Sequence, residues 1–224
     1  MNKVVKFQDK ALEVSFGLNM KLEVLPTDED YAFVDFSTDS NNVIVNESSN
    51  SLKVLNADNA SLTDELKNVK SIGDVIGLFV KQGIQGKLDN SISGSGKLYI
   101  PKNNESLELK VNNGEVLINS SLKKAKIKLN NGDLIIKGDI QECEIKGNNI
   151  KLETSSNINY LAAKFNNGKA TLSANSNVKV WNIKSNKADI TIHKNDFGGE
   201  IRSNKQAAFP DAIGIETRGN LNII

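Results

Sequence analysis

The chain has 224 residues, and its 28 basic and 27 acidic side chains leave a formal net charge of +1. That balance argues neither for nor against wholesale nucleic-acid binding and confines any electrostatic function to a local patch. A single cysteine, Cys143, excludes an intramolecular disulfide and a thiolate metal cluster, and no apolar run approaches the length of a membrane span.

Residues 1–8 contain no apolar run of signal-peptide length, so the chain as it stands is expected to be cytoplasmic; as a trimmed piece it would be expected at the cell envelope. Residues 11–56 then read as strand after strand: Leu12, Val14 and Phe16; Met20, Leu22 and Val24; Ala32 through Phe36; Val43 through Val45; Leu52 through Leu55. Turn clusters at 26–30 and 38–42 separate them. No fixed repeat joins these strands, which are expected to be irregular first coils or a small capping sheet. Asp28, Glu29 and Asp30 read as a solvated turn, because a cation loop needs regularly spaced oxygen ligands. At residues 61–82 the period changes, with Leu62, Leu66, Val69, Ile76, Phe79 and Val80 at helical spacing and Ser61 and Asp64 placed as a capping box. One short inserted helix is expected there, packed on the protein's own sheet, although Gly73 and Gly77 weaken its second half.

From residue 89 onward the chain repeats. Asn-Asn-Gly at 112–114 returns at 130–132 and 166–168, with Asn148, Asn149 and Ile150 between them, so the period is 18 residues. Extrapolation backwards places Gly96 under Gly114, and forwards it places Ser203 over Ser185; a two-residue insertion near 178–180 breaks the count once. Within each period apolar residues alternate, as in Leu107, Leu109 and Val111, or Ala125, Ile127 and Leu129, which is the strand signature. A period this short marks stacked units, each too small to bury its own apolar face. The expected fold is therefore all-β, a single-chain β-solenoid with 18-residue coils. Residues 1–88 would supply the irregular N-terminal strands, cap and helical insertion, and 89–224 the regular coils and C-terminal cap, in one continuous elongated domain. The Asn-Asn-Gly corners are expected to need left-handed backbone and to stack their amides, and Ile150 is expected to make a different corner.

Two outward columns are candidate surfaces. Lys110, Lys128, Lys146, Lys164, Lys184 and Arg202 fall on one outward position once the insertion is allowed for. They would form either a solvated lysine face that blocks aggregation or a track for an anionic polymer, such as teichoic acid or an acidic glycan. Tyr99, Leu117 and Ile135 form a shorter outward stripe that is apolar and wants a cover, from within the chain or from a partner. Chemistry-bearing residues are sparse. His193 is the only histidine, so neither a Ser-His-Asp site nor a multi-histidine metal site can be assembled, and no cofactor, metal site or catalytic residue is expected. Cys143, at an inward position, reads as a buried inert thiol.

The runs Gly96-Lys97-Leu98-Tyr99-Ile100-Pro101 and Leu107-Glu108-Leu109-Lys110-Val111-Asn112-Asn113-Gly114, followed by Ile127-Lys128-Leu129-Asn130-Asn131-Gly132-Asp133, resemble the bacterial adhesin-like family of LiaG-like β-solenoid domains. The resemblance implies a non-enzymatic β-solenoid, a binding or structural module in an envelope-related pathway, and supplies no catalytic residue to carry over. Its partner would be a protein or an anionic polymer, with nucleic acid not expected. The alternatives are a cytoskeleton-like self-assembling scaffold and a carbohydrate-active β-helix enzyme, the latter needing a carboxylate pair at glycosidase separation.

Overall fold

The computed structural model describes residues 1–57, 92–207 and 210–224. The expected helix at 61–82 and the 88/89 boundary lie outside the described residues. What is described is all-β, and the fold is a β-solenoid. The strands are β1 (Asn2–Phe7), β2 (Ala11–Thr27), β3 (Ala32–Thr38), β4 (Val43–Glu47), β5 (Ser51–Asn56), β6 (Ser93–Pro101) and β7 (Ser106–Ile118). They continue as β8 (Leu122–Ile136), β9 (Ile140–Thr154), β10 (Ile158–Ala174), β11 (Val180–Lys194), β12 (Glu200–Ser203), β13 (Ala212–Glu216) and β14 (Leu221–Ile223).

β7 through β11 stack in parallel, each strand bending once without losing its ladder. The alternation seen in sequence becomes columns: Leu109, Ile127, Ile145, Ala163 and Ile183 lie one above another, all buried. Each fully buried aliphatic contributes about 1.5–3 kcal/mol through lost water contact, and the core is a continuous column. The two-residue insertion is real, since Phe165 stands beside Ser185.

At the bends, Gly114, Gly132 and Gly168 have φ of +136°, +131° and +132°, and a Cβ on Gly132 would run into the Gly114 carbonyl of the coil below. Glycine is required there on both counts. Beside them the asparagines form an amide ladder: Asn113 donates to Asn19, Asn131 to Asn113, Asn149 to Asn131 and Asn167 to Asn149, at 3.1, 2.7, 2.8 and 2.9 Å. The β9 corner differs, as expected, because Ile150 takes the glycine position without positive φ. Its side chain is buried and turns into the space left by Gly147, where neighbouring coils carry Leu129 and Phe165. An added Cβ on Gly147 would run into the Leu129 carbonyl oxygen and lie 2.7 Å from Ile150 Cγ2, so glycine at 147 suits both the coil below and the Ile150 side chain.

The extrapolated ends of the repeat are corrected by the pairing. The strand beneath β7 is β2, with Leu12 beside Leu107 and Met20 beside Gly114, so the first full coil comes from the segment that showed no repeat. β6 lies on the far side of β2, and Gly94, not Gly96, aligns with Met20 and Gly114. At the other end β13 separates β11 from β12, which puts Ser203 in line with Ile183 and not Ser185. The sequence could not reveal either exchange, because the intervening strand arrives from elsewhere in the chain.

The free edge of β2 is covered along its first half by β5 and β4 and along its second half by β6, β3 and β1. Both additions end antiparallel, and the Lys3–Glu47 ion pair at 3.0 Å ties their outermost strands together. The alternation that buries Val5, Phe7, Val34 and Phe36 on one face of this cap places their neighbours outside.

Candidate functional site

Five members of the basic column are where the repeat placed them: Lys110, Lys128, Lys146, Lys164 and Lys184 are successive partners on β7 to β11. Arg202 is not among them. It lies beside Gly214, which lies beside Asn182, so it belongs to the adjacent column, and Glu216 occupies the position above Lys184. The adjacent column also supplies Glu108 and Glu144 with Lys126 between them, and these two glutamates, with Glu13 and Glu216, offset much of the lysine charge. Lys110 is buried between Glu13 and Glu108, each 2.7 Å from its Nζ. Lys128 lies 3.7 Å from Glu108, Lys146 pairs with Glu144, and Lys184 is 2.7 Å from Glu216. Lys164, exposed, has no ion pair among the described residues.

The titration shifts follow this crowding. Burial opposes ionisation of Glu108, but its hydrogen bond to Lys110 and the charges of Lys110, Lys126 and Lys128 outweigh burial and hold its carboxyl below the usual range. Glu144 is lowered chiefly by its hydrogen bond to Lys146. Partial burial, reinforced by Lys110, draws Lys128 below the ordinary lysine value despite Glu108. A column whose basic members repel while carboxylates stitch them together is first a stabilised β surface.

The apolar stripe survives in part. Leu117 and Ile135 are direct partners, both half-buried on the outward face. Tyr99 is not in line with them: Leu117 is beside Glu23, and Glu23 is beside Lys97. Tyr99 stands two residues further along β6, its ring stacked on Phe33 with centroids 4.5 Å apart. It still meets the stripe, because Tyr99, Leu117 and Ile135 line one groove that crosses the outward face from β3 to β8. Gly94 and Gly96 sit at inward positions, and a Cβ on Gly96 would stand 2.9 Å from Phe36 Cβ and 3.1 Å from Met20 Cε. Ser95 and Ser37, short outward residues joined at 3.2 Å, keep the depression open. Two glycines at inward parity were the signal for this feature in the sequence; the missing fact was that β6 lies beside β2.

The remaining candidates are not brought together. Burial pushes the Cys143 thiol up to about 12. His193 lies on the outward face near the end of β11, Asp28 pairs with Lys102 at 3.1 Å on the surface, and no group of three or more metal-ligating side chains occurs among the described residues. No helix among the described residues is long and apolar enough to cross a membrane.

Comparison with solved structures finds similarity along the whole chain at low identity. A cell-adhesion-like protein from Clostridium sporogenes ATCC 15579 shares 10% identity at a TM-score of 0.38, covering 100% of this chain and 98% of that one. Adhesin-like proteins from Bacteroides fragilis NCTC 9343 and Parabacteroides merdae ATCC 43184 also share 10% identity, at TM-scores of 0.44 and 0.39, each covering 100% of this chain and 96% and 95% of theirs. No curated protein matches the chain. The Toastrack DUF4097 family model matches residues 12–209, which runs from the first coil on β2 through the last regular coil and beyond β12, and the chain belongs to that family.

Proposed function

We propose that this chain is a non-catalytic binding or structural module, LiaG-like in kind and adhesin-like in role, of a bacterial envelope-related pathway, and that it engages its partner along its side. The observation that carries the lateral reading is the closed N-terminal end. The free edge of β2 is covered at residues 13–16 and 19–27, the covering strands end antiparallel and short, and Lys3 and Lys6 sit on the outermost one. Such an end discourages strand-to-strand stacking, whereas the lateral faces run the length of the coils. Sedimentation velocity over a wide concentration range, followed by co-sedimentation with washed bacterial envelopes, tests the reading. A species of fixed size retained by envelopes is expected. Filaments that grow with concentration would establish the self-assembling scaffold instead, and absence of retention would overturn the envelope role.

A second reading, an anionic polymer along Lys128, Lys146, Lys164 and Lys184, is favoured by Lys164, whose charge has no carboxylate partner among the described residues.

A further inference from the structure

The groove between β3 and β8 carries a net negative charge on a nearly neutral protein. Its walls carry four carboxylates, Glu23, Asp35, Glu115 and Asp133, against two amines, Lys21 and Lys97. Lys21 is already held by Glu115 at 3.1 Å, which leaves Lys97 between its register partners Glu23 and Asp35, and Asp133 in the neighbouring column beyond Glu115. Asp35 and Lys97 are register partners, yet they form no ion pair, and the Asp133 carboxylate has neither ion pair nor hydrogen bond among the described residues, while Glu23 accepts from Asn119 at 3.1 Å. The floor is Leu117 beside Ile135, where the next two coils carry Glu153 and Thr171. One end is the Tyr99 ring, one face of which rests on Phe33.

We propose that this groove receives an extended segment of a partner protein bearing both basic and aliphatic side chains. The inference rests on the lateral-binding reading and names its surface. Aliphatic side chains of the segment cover Leu117 and Ile135, which are half-buried. Its cations meet the carboxylate excess and the Tyr99 ring at the groove's end, as the protein already does internally where Lys6 lies 4.6 Å from the Tyr31 ring centroid. From β3 to β8 the groove crosses four inter-strand steps, about 19 Å at roughly 4.8 Å each, the span of about six extended residues. The segment crosses the strands, so recognition is by side chains and not by strand addition.

The probe is a labelled hexapeptide, Lys-Leu-Lys-Leu-Leu-Lys, with its Glu-for-Lys counterpart as control, followed by fluorescence anisotropy at low and moderate salt. Three proteins are compared: wild type, Asp35→Asn with Asp133→Asn, and Lys128, Lys146 and Lys164 changed together to Ser on the other column. The expected result is salt-weakened binding of the basic peptide alone, reduced about tenfold or more by the two isosteric Asn changes and not reduced by the Ser changes. Melting curves identify any variant that fails to fold, and Glu23→Gln then serves as the replacement. Equal binding by wild type and the Asn variant, no binding, or equal affinity for both peptides overturns the proposal. So does capture of a neutral oligosaccharide that depends on Tyr99 but not on the carboxylates, which reassigns the groove to glycans. If envelopes retain the Asn variant as well as wild type, the groove falls while the lateral reading stands.

Discussion

Replacing Ile150 with glycine restores the Asn-Asn-Gly triplet to the one coil that lacks it, and it should nevertheless damage the protein. Ile150 is 1% exposed and its side chain occupies the volume that Leu129 and Phe165 fill in the coils below and above. Deleting it leaves a cavity beside Gly147, with a cost of about 3–5 kcal/mol once the flexibility of a new glycine is included. The complementary change, Gly147→Leu, meets two obstacles, since its Cβ would run into the Leu129 carbonyl oxygen and stand 2.7 Å from Ile150 Cγ2; overpacking of this kind costs about 3 kcal/mol. Made together, the two changes remove the Ile150 obstacle and restore the residue types of the corner at Leu129 and Gly132, leaving the backbone at 147 to shift away from the Leu129 carbonyl. The double variant should therefore be more stable than the sum of the single losses by at least about 2 kcal/mol, the size expected for contacting residues. Thermal unfolding followed by circular dichroism reads this, at roughly 2–4 °C per kcal/mol for a chain of this size. Additive losses within about 0.5 kcal/mol would refute the exchange of volume between the two positions.

Ile135→Asp places a charge on the half-buried groove floor and should shift the melting temperature by only a degree or two, as surface substitutions do; a loss equivalent to more than about 2 kcal/mol would mean that something in the chain covers it. Changing Lys128, Lys146 and Lys164 to Ser should weaken retention of a polyphosphate or acidic glycan and reduce its salt dependence; identical titrations for variant and wild type would leave the column as a stabilised surface alone. Glu108 has a lowered folded pKa relative to its ordinary 4.5, so its stabilising contribution is present above that value and lost as pH falls through the lower folded one. Acid unfolding of Glu108→Gln should accordingly lack part of the loss below about pH 4.5 that wild type shows, and superimposable acid profiles would contradict the assignment.

The sequence spoke most clearly where a residue's neighbour is its own repeat. Leu109, Ile127 and Ile145 announce their column because the residues they touch sit one period away, and the glycine corners do so because only one residue type tolerates that backbone. β2 was illegible as a coil for the opposite reason: its partner Leu107 lies far along the chain from Leu12, and no interval within the chain repeats that distance. The same cause misplaced Arg202 and Tyr99. Each lay correctly on an outward face, but β13 and β2 come between it and the column to which counting assigned it. The charges of the lysine column could be counted from sequence, while their neutralisation could not, since Glu13 reaches Lys110 through that unforeseen pairing.

The asparagine ladder has a direction. Every described rung from Asn113 to Asn167 donates its amide toward the coil below and offers its oxygen to the coil above. A rung of this kind reads the same wherever it stands in the stack, so a copy of residues 131–148 inserted after Asn148 would find an acceptor beneath it and present one above. The number of coils is then not dictated by the closure of the structure, as it is in a barrel, but only by where the caps fall. Such a chain can lengthen or shorten by whole coils through duplication or loss of one stretch of gene, moving the surfaces on its sides apart by one strand spacing at a time while the covered N-terminal edge stays as it is.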